Sequence, residues 1–539
     1  MIKKIFQSIA DILLRPFREH FLFFVVFYIL AMGCYVLRQI STEFYPVAAI
    51  LIAMHCFNIT YIVTLVVSII RPRALQKTIQ AVLIALAAVD FVLNFYCINQ
   101  LKYLFDADIA QLILETDPNE AKEFASSMIP GWIVLAEIGV FLSLIFLWWL
   151  SARRNLNLGK KTSLVALGIV GICIIGNLYA WPVWKDGPIA RFKEISQYDI
   201  PSSLKSYYSH PQLAFDAKQD LPDNVVLIIG ESFARCHSSL YGYDKSTNPQ
   251  LKSLKDNSLL FTFDSIDAPA GNTAPSIKKM LSTFSKADEN NKDKKWYEYI
   301  SLIELMQESG YDCFWFGNQA CANKNNGTAR TYAQACDRQW FLQPEGIDEV
   351  NHRYDIVLVD SSYQYVNKPH PEKHNFIIYH MLGSHFNYYM RYPKNFAKFS
   401  EKDYPTEPQN HREILSTYDN SILYNDYVVK RIMELFKDSE SVVIYLPDHG
   451  QVMYRNKRNP DYYAHGKGKY DYNYGVEIPF FIYASPLYQE RHPETMQRIQ
   501  ERQNHPKCWN SDDLPYFIMD LIGVKAINGE DVRSRSVLD

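Results

Sequence analysis

The chain has no basic excess: 55 Lys+Arg stand against 58 Asp+Glu in 539 residues, a formal net charge of −3. Without a field of positive charge there is nothing to draw the whole molecule onto nucleic acid, and that partner is excluded. Internal repeats and low-complexity tracts are also missing, which rules out solenoids and disordered tails. Up to Trp184 charge itself is scarce; beyond it, charged and turn-forming residues dominate and the sequence reads as a water-exposed globule. A chain of this length with such a break holds at least two units.

What fills the charge-poor half is apolar. Runs lie at His20 to Leu37, Val47 to Ile70, Thr78 to Cys97, Ile129 to Leu150 and Ser163 to Trp184. Each approaches or reaches the roughly 20 residues that cross hydrocarbon, so five transmembrane helices are expected. Lys3, Lys4, Arg15 and Arg18 precede the first run, Arg71, Arg73 and Lys77 separate the second from the third, and Arg153, Arg154, Lys160 and Lys161 the fourth from the fifth. Placing these cations in the cytoplasm satisfies the positive-inside rule throughout and exports the C-terminal half. The first run is long and has no small-residue cleavage site, so it reads as a retained anchor. The expected domains are a membrane unit at 1–184 with an outer loop at 100–129, a linker along the membrane surface at 185–221, and an exported domain at 222–539.

Of the 9 cysteines, Cys34, Cys56, Cys97 and Cys173 fall in the apolar runs as small fillers. Cys236, Cys313, Cys321, Cys336 and Cys508 lie in the exported half, where disulfides persist. Sequence does not give their pairing, though a Cys321–Cys336 bond would close a short polar loop. In the outer loop, Leu104 to Met128 alternates acids with apolar residues at helical spacing, as helices resting on a membrane surface do; a plain connector is the alternative.

Past Pro222 short β-rich runs, NVVLIIG, YDCFWFGN, DIVLVD, NFIIYHMLG, SVVIYLPDHG and EIPFFIYA, are separated by segments of helical spacing such as LIELMQESG from Leu302. Strands apolar on both faces, interleaved with helices, predict an α/β domain with a mostly parallel sheet covered on both sides. Sites in such folds gather at the carboxyl ends of strands. Glu231 follows one strand, and Asp448 with His449 follow another. An unpaired buried carboxylate is costly; a divalent cation offsets that cost, and a Glu, Asp and His set suits zinc. Between them, in APAGNTAPSIKKMLSTFS, Gly271 and Asn272 form a turn and Pro275 suits a first helical turn. Thr273 is thereby set at a helix N-terminus, where free N–H groups attract phosphate; a plain helix cap is the alternative. His385 in HMLGSHFNYYMRYP and His465 in YYAHGKGKYDYNYGVEIPF complete the constellation, a solvated loop histidine being the alternative for each, whereas His380, inside a strand, reads as a satisfied core histidine.

With these residues assembled, the chain resembles the membrane-bound phosphoethanolamine transferases of Gram-negative bacteria, within the alkaline phosphatase and sulfatase superfamily. The motifs run over almost the whole length: the five-span anchor, LETDPNEA, GESFARCHSSLYGYDKSTNP, GNTAPS, GSHFNYYMRYP, YDNSILYNDYVV and PDHG. The resemblance implies that Glu231, Thr273, Asp448 and His449 bind one tight Zn2+, with Thr273 also the nucleophile, and that His385 and His465 contact the phosphate or a second zinc. Thr116 and Glu120 would bind the ethanolamine lipid, although Leu112 stands where some members have Asn. Phe386 replaces the Gly usual in the lipid A branch, and FNYYMRYP is closer to the branch acting on core sugars, so either acceptor stays open. It further implies a phosphatidylethanolamine donor, a lipopolysaccharide acceptor, a monomer, and a multi-pass protein of the bacterial inner membrane with its catalytic domain in the periplasm. The alternatives are a phosphoglycerol transferase of the lipoteichoic-acid type, an anchored phosphatase or sulfatase, and a catalytically dead relative. A formylglycine sulfatase needs Cys or Ser two positions before Pro275 and Arg two after, where Thr273 and Ile277 stand.

Overall fold

The computed structural model describes residues 2–41, 46–100, 105, 109–110, 113, 122, 129, 131–153, 157–179, 200–216, 220–291, 293–319, 327–343, 352–366, 374–457, 460–465 and 472–539. It divides into two compact units, Met1–Gln111 with Met128–Tyr198, and Leu112–Ser127 with Asp199–Asp539.

Helices of the first unit are Ile2–Arg18, Phe21–Ser41, Pro46–Ile69, Arg73–Gln100, Gly131–Arg153 and Lys160–Tyr179. Among the described residues, Ala49–Ile69, Arg73–Asn99 and Lys160–Asn177 are long and apolar enough to cross a membrane; Phe21–Gly33 and Gly131–Ser143 are shorter apolar helices. A helix overlaps each of the five expected runs, and among the described residues three of these helices are long and apolar enough to span. Leu86, Leu135 and Val165 point outward, an arrangement that suits lipid as solvent. The cations ahead of the first run lie on a helix that the apolar runs did not announce. Its C-terminal end is docked by Phe17, whose ring lies 5.1 Å from Phe24 and 5.7 Å from Tyr61.

The second unit is built on a seven-stranded sheet. In chain order its strands are preceded by a short β1 (Leu213–Phe215), then β2 (Asn224–Gly230), β3 (Leu260–Phe263), a short β4 (Ile266–Asp267), β5 (Tyr311–Gly317), β6 (Arg338–Phe341), β7 (His374–His380), β8 (Ser441–Pro447) and β9 (Phe480–Ala484). The sheet order is β3-β9-β8-β2-β7-β5-β6, with β9 alone running against the rest. Residues of β2 alternate between two cores. Val225, Leu227 and Ile229 face one, under the helices Thr273–Met280, Leu302–Glu308 and Leu514–Leu521. Val226 and Ile228 face the other, under Gln409–Glu434. Both faces are covered, which explains why the central strands are apolar on both sides.

One expected strand is a helix. DIVLVD opens Ile356–Val366, where Asp355, Leu358, Val359 and Ser362 are buried, a spacing of three and four that only a helix turns to one face. The segment from Leu204 onward belongs to the globule: Leu204 joins the core, and β1 pairs with Val524–Ile527. Among the described residues no two cysteines are joined, and Cys321 lies outside them.

Candidate active site

Adjacent strands β8, β2 and β7 end together, and the residues that follow them meet. Glu231 leaves β2, Asp448 and His449 leave β8, and Met381–His385 leave β7. Glu231, Asp448 and His449 offer ligand atoms all within 4.8 Å of one another, and all three side chains are buried. His449 Nε2 is 3.4 Å from Glu231 Oε1 and 3.4 Å from Asp448 Oδ2. Thr273 Oγ1 is 3.4 Å from Glu231 Oε2 and 3.4 Å from His449 Nε2.

Those separations test the metal reading. Tetrahedral zinc with bonds of about 2.0–2.1 Å requires ligand atoms about 3.3–3.4 Å apart. Asp448 Oδ2 is buried and accepts no hydrogen bond, an orphan that a cation would satisfy. Burial, and the Asp448 carboxylate beside it, push Glu231 above its usual range, as expected where two acids are buried side by side. His449 Nδ1 lies 2.9 Å from Gly450 O, so Nδ1 carries the proton and Nε2 presents its lone pair to the site. The residues present fit a zinc ion.

Thr273 is the first residue of the helix Thr273–Met280, and the cap position belongs to Asn272. The capping alternative is thereby set aside: the hydroxyl faces the carboxylate and the imidazole. Thr273 is partly exposed where Glu231, Asp448 and His449 are buried, so it is the member of the group open to the outside. His465 lies against His449, ring centroids 4.0 Å apart, and its Nδ1 is 3.3 Å from Gln451 Oε1. Burial, with His449 and His385 beside it, pushes His465 well below its usual value, so its ring is neutral. His385 faces the same group closely enough to act electrostatically on Glu231 and His465. His380 is buried at the end of β7 with Nε2 lacking a partner, and burial pushes its pKa down to about 4; it is a core residue, but not a satisfied one. Thr116, Glu120 and Leu112 lie outside the described residues.

Three supporting residues escaped the sequence. Gln319 Nε2 donates to Glu231 Oε2 at 3.0 Å and to Met381 O at 3.1 Å. The hydroxyl of Ser232 donates to Glu231 Oε1 at 2.6 Å. Asp355 accepts the N–H groups of Leu382 and Gly383 at 2.9 and 2.8 Å, holding the turn that leads to His385. Gln319 and Ser232 each stand two residues past a strand's carboxyl end, the one signal available; Asp355 carried none.

Comparison with known proteins follows the same division. Residues 223–524 match the family model described as Sulfatase, and residues 59–185 match the one described as Phosphoethanolamine transferase EptA/EptB. The chain is 27% identical over 474 residues to phosphoethanolamine transferase EptC of Escherichia coli (strain K12), covering 80% of this chain and 77% of that one. It is 26% identical over 488 residues to phosphoethanolamine transferase EptA of Salmonella typhimurium, covering 82% of each. Among solved structures, the C-terminal periplasmic domain of E. coli EptC in complex with Zn superposes with a TM-score of 0.52 at 27% identity, over 61% of this chain and 90% of that one. Full-length EptA of Neisseria meningitidis superposes with a TM-score of 0.66 over 94% of this chain and 96% of that one, at 18% identity, a likeness of fold.

Proposed function

The chain belongs to the sulfatase family, and from that premise we propose that it transfers phosphoethanolamine from phosphatidylethanolamine to a lipopolysaccharide acceptor, lipid A or a core sugar. It is a phosphoethanolamine transferase. The observation that carries the mechanism is the 3.4 Å approach of Thr273 to Glu231 and His449, and of His449 to Glu231 and Asp448, beside the orphaned Asp448 Oδ2.

In this reading Glu231, Asp448, His449 and Thr273 hold one zinc ion. When bound, the ion lowers the cost of a Thr273 alkoxide and withdraws charge from phosphoryl oxygens. Thr273 Oγ attacks the phosphorus of the donor; the bond to the diacylglycerol oxygen breaks, and that oxygen takes a proton. Phosphoethanolamine is then esterified to Thr273. An acceptor hydroxyl or phosphate oxygen next attacks the same phosphorus and restores the Thr273 hydroxyl. His465, neutral, is suited to donate one N–H to a non-bridging oxygen; His385 is left to supply the proton to the leaving group. The N-terminus of the helix Thr273–Met280 adds its dipole beside the phosphate.

Ile277, in the slot where a formylglycine sulfatase carries Arg, is fully buried in the core, which favours phosphoryl over sulfate-ester chemistry. We assign residues 1–184 to a five-span anchor of the inner membrane and 222–539 to a periplasmic catalytic domain, with the expected linker 185–221 joining that domain from Leu204 onward, and with Thr116 and Glu120 on the donor. An anchored site suits amphiphilic reactants, since holding both at one surface raises their effective concentration.

The test is mass analysis of surface glycolipids from cells with and without the gene. An added phosphoethanolamine group on lipid A or core sugar, dependent on the gene, is the expected result. Unchanged glycolipids, together with turnover of phosphatidylglycerol in place of phosphatidylethanolamine by the purified chain, would overturn it.

A further inference from the structure

Ser232 stands between the two candidate metal carboxylates and is bonded to both. Its N–H donates to Asp448 Oδ1 at 3.2 Å while its hydroxyl donates to Glu231 Oε1. Its φ is +56°, in the left-handed region that a residue other than glycine keeps only where its surroundings enforce it. The enforcing group is Tyr418. The Tyr418 hydroxyl donates to Ser232 O at 2.7 Å and accepts the N–H of Ala234 at 2.8 Å, so it grips the chain on both sides of Phe233.

Tyr418 lies on the helix Gln409–Glu434, which supplies none of the candidate ligands. The next residue on that helix extends the grip. Asp419 Oδ1 is 2.7 Å from His237 Nδ1, and Asp419 Oδ2 accepts the hydroxyls of Tyr243 at 2.7 Å and Tyr404 at 2.5 Å. Tyr418 and Asp419 are both fully buried. The whole segment from Ser232 to Tyr243, which leaves the first ligand, is thus tied to two consecutive residues of one helix.

We propose that Tyr418 is a positioning residue of the metal centre: by fixing the Ser232 peptide it sets the separation of Glu231 and Asp448 that the ion requires. This rests on the metal reading above. Loss of the hydroxyl would leave Ser232 O and Ala234 N–H without that partner in a buried place, and a relaxing Ser232 would move both carboxylates through its own two hydrogen bonds. A purely packing role is the rival, since the Tyr418 ring also lies 5.1 Å from His237 and 4.8 Å from Tyr388; Tyr418→Phe keeps that ring and removes only the hydroxyl.

The experiment compares zinc affinity, by chelator competition, and kinetics for the full-length chain, Tyr418→Phe, Ser232→Ala, their double variant and Tyr311→Phe. Tyr311 is the control: its buried hydroxyl bonds Pro222 O at 3.0 Å, at the amino end of β2 and far along the strand from the ligands. Tyr418→Phe is expected to bind zinc about 10–100-fold more weakly, with kcat reduced and KM for the lipid little changed. Tyr311→Phe should lower the melting temperature and keep wild-type zinc affinity. The double variant should lose less than the product of the two single losses, because both act through one peptide. Wild-type zinc affinity in Tyr418→Phe, or a double loss equal to that product, overturns the positioning role. Should Tyr418→Phe not fold, Ser232→Ala decides, and wild-type zinc affinity there overturns the role as well. A wild-type chain that binds no zinc overturns the metal reading instead, so the two failures are distinguishable.

Discussion

Gly383, three residues past the end of β7, has φ +52°, and a Cβ there would lie 2.8 Å from Glu231 N and 2.9 Å from Glu231 O. The turn can approach the ligand's backbone only without a side chain. Gly383→Ala combines left-handed strain with a clash against a backbone that cannot give way, so a loss of about 1–3 kcal/mol is expected, along with weaker metal binding. Thermal unfolding and zinc content check it; an unchanged melting temperature with full zinc occupancy would contradict the account. At this scale the candidate ligands were legible and their supports were not. Glu231, Asp448 and His449 announce themselves because an apolar strand stops at a group that needs a counterion. Ser232, Gln319 and Asp355 act through hydrogen bonds whose partners lie 27 or more residues away or depend on one backbone angle, and a single sequence does not encode either.

The elements show the same limit in another form. The helix Pro249–Asp256 has Asn248 at its cap position, yet the Asn248 side chain makes no cap bond; it accepts from Ser238 and Ser239 instead. The cap comes from Asp426 on the helix Gln409–Glu434, whose carboxylate accepts the N–H groups of Gln250 and Leu251, both at 2.9 Å. Burial pushes Asp426 up to about 7, against the pull of those two bonds and Lys430. Because its folded value exceeds the unfolded one, its contribution to stability is full below about pH 4 and is lost as pH rises toward 7. Asp426→Asn does not titrate, so the stability of the wild type relative to it should fall between pH 4 and 7 and then level off. Melting temperatures of the two chains across that range provide the check; a difference that grows with pH would contradict the assignment. A cap supplied by a residue 176 positions away is invisible to local pattern. DIVLVD failed for a related reason: four apolar residues in a row fit a strand or a buried helix equally, and only the burial of Asp355 and Ser362 reveals the helical face.

For the molecule as a whole, the division into a membrane unit and an α/β unit was legible because hydropathy and strand–helix alternation are local, additive signals. Span length was less so, since an apolar run does not state where its helix begins or ends. In the proposed reading folding and catalysis meet at the metal. Removing it should abolish transfer and lower the melting temperature, because an ion that binds only the folded chain stabilises it by about 2.7 kcal/mol at a hundredfold excess over its dissociation constant. Readdition of zinc should restore both; activity that survives thorough chelation would contradict the metal assignment. The most direct test of the central claim is the mass of the full-length chain after incubation with phosphatidylethanolamine in the absence of acceptor. The account predicts one phosphoethanolamine group on the peptide that contains Thr273, discharged when acceptor is added and missing from a metal-loaded Thr273→Ala chain. Donor turnover with no adduct on that peptide, or undiminished transfer by Thr273→Ala, would contradict it.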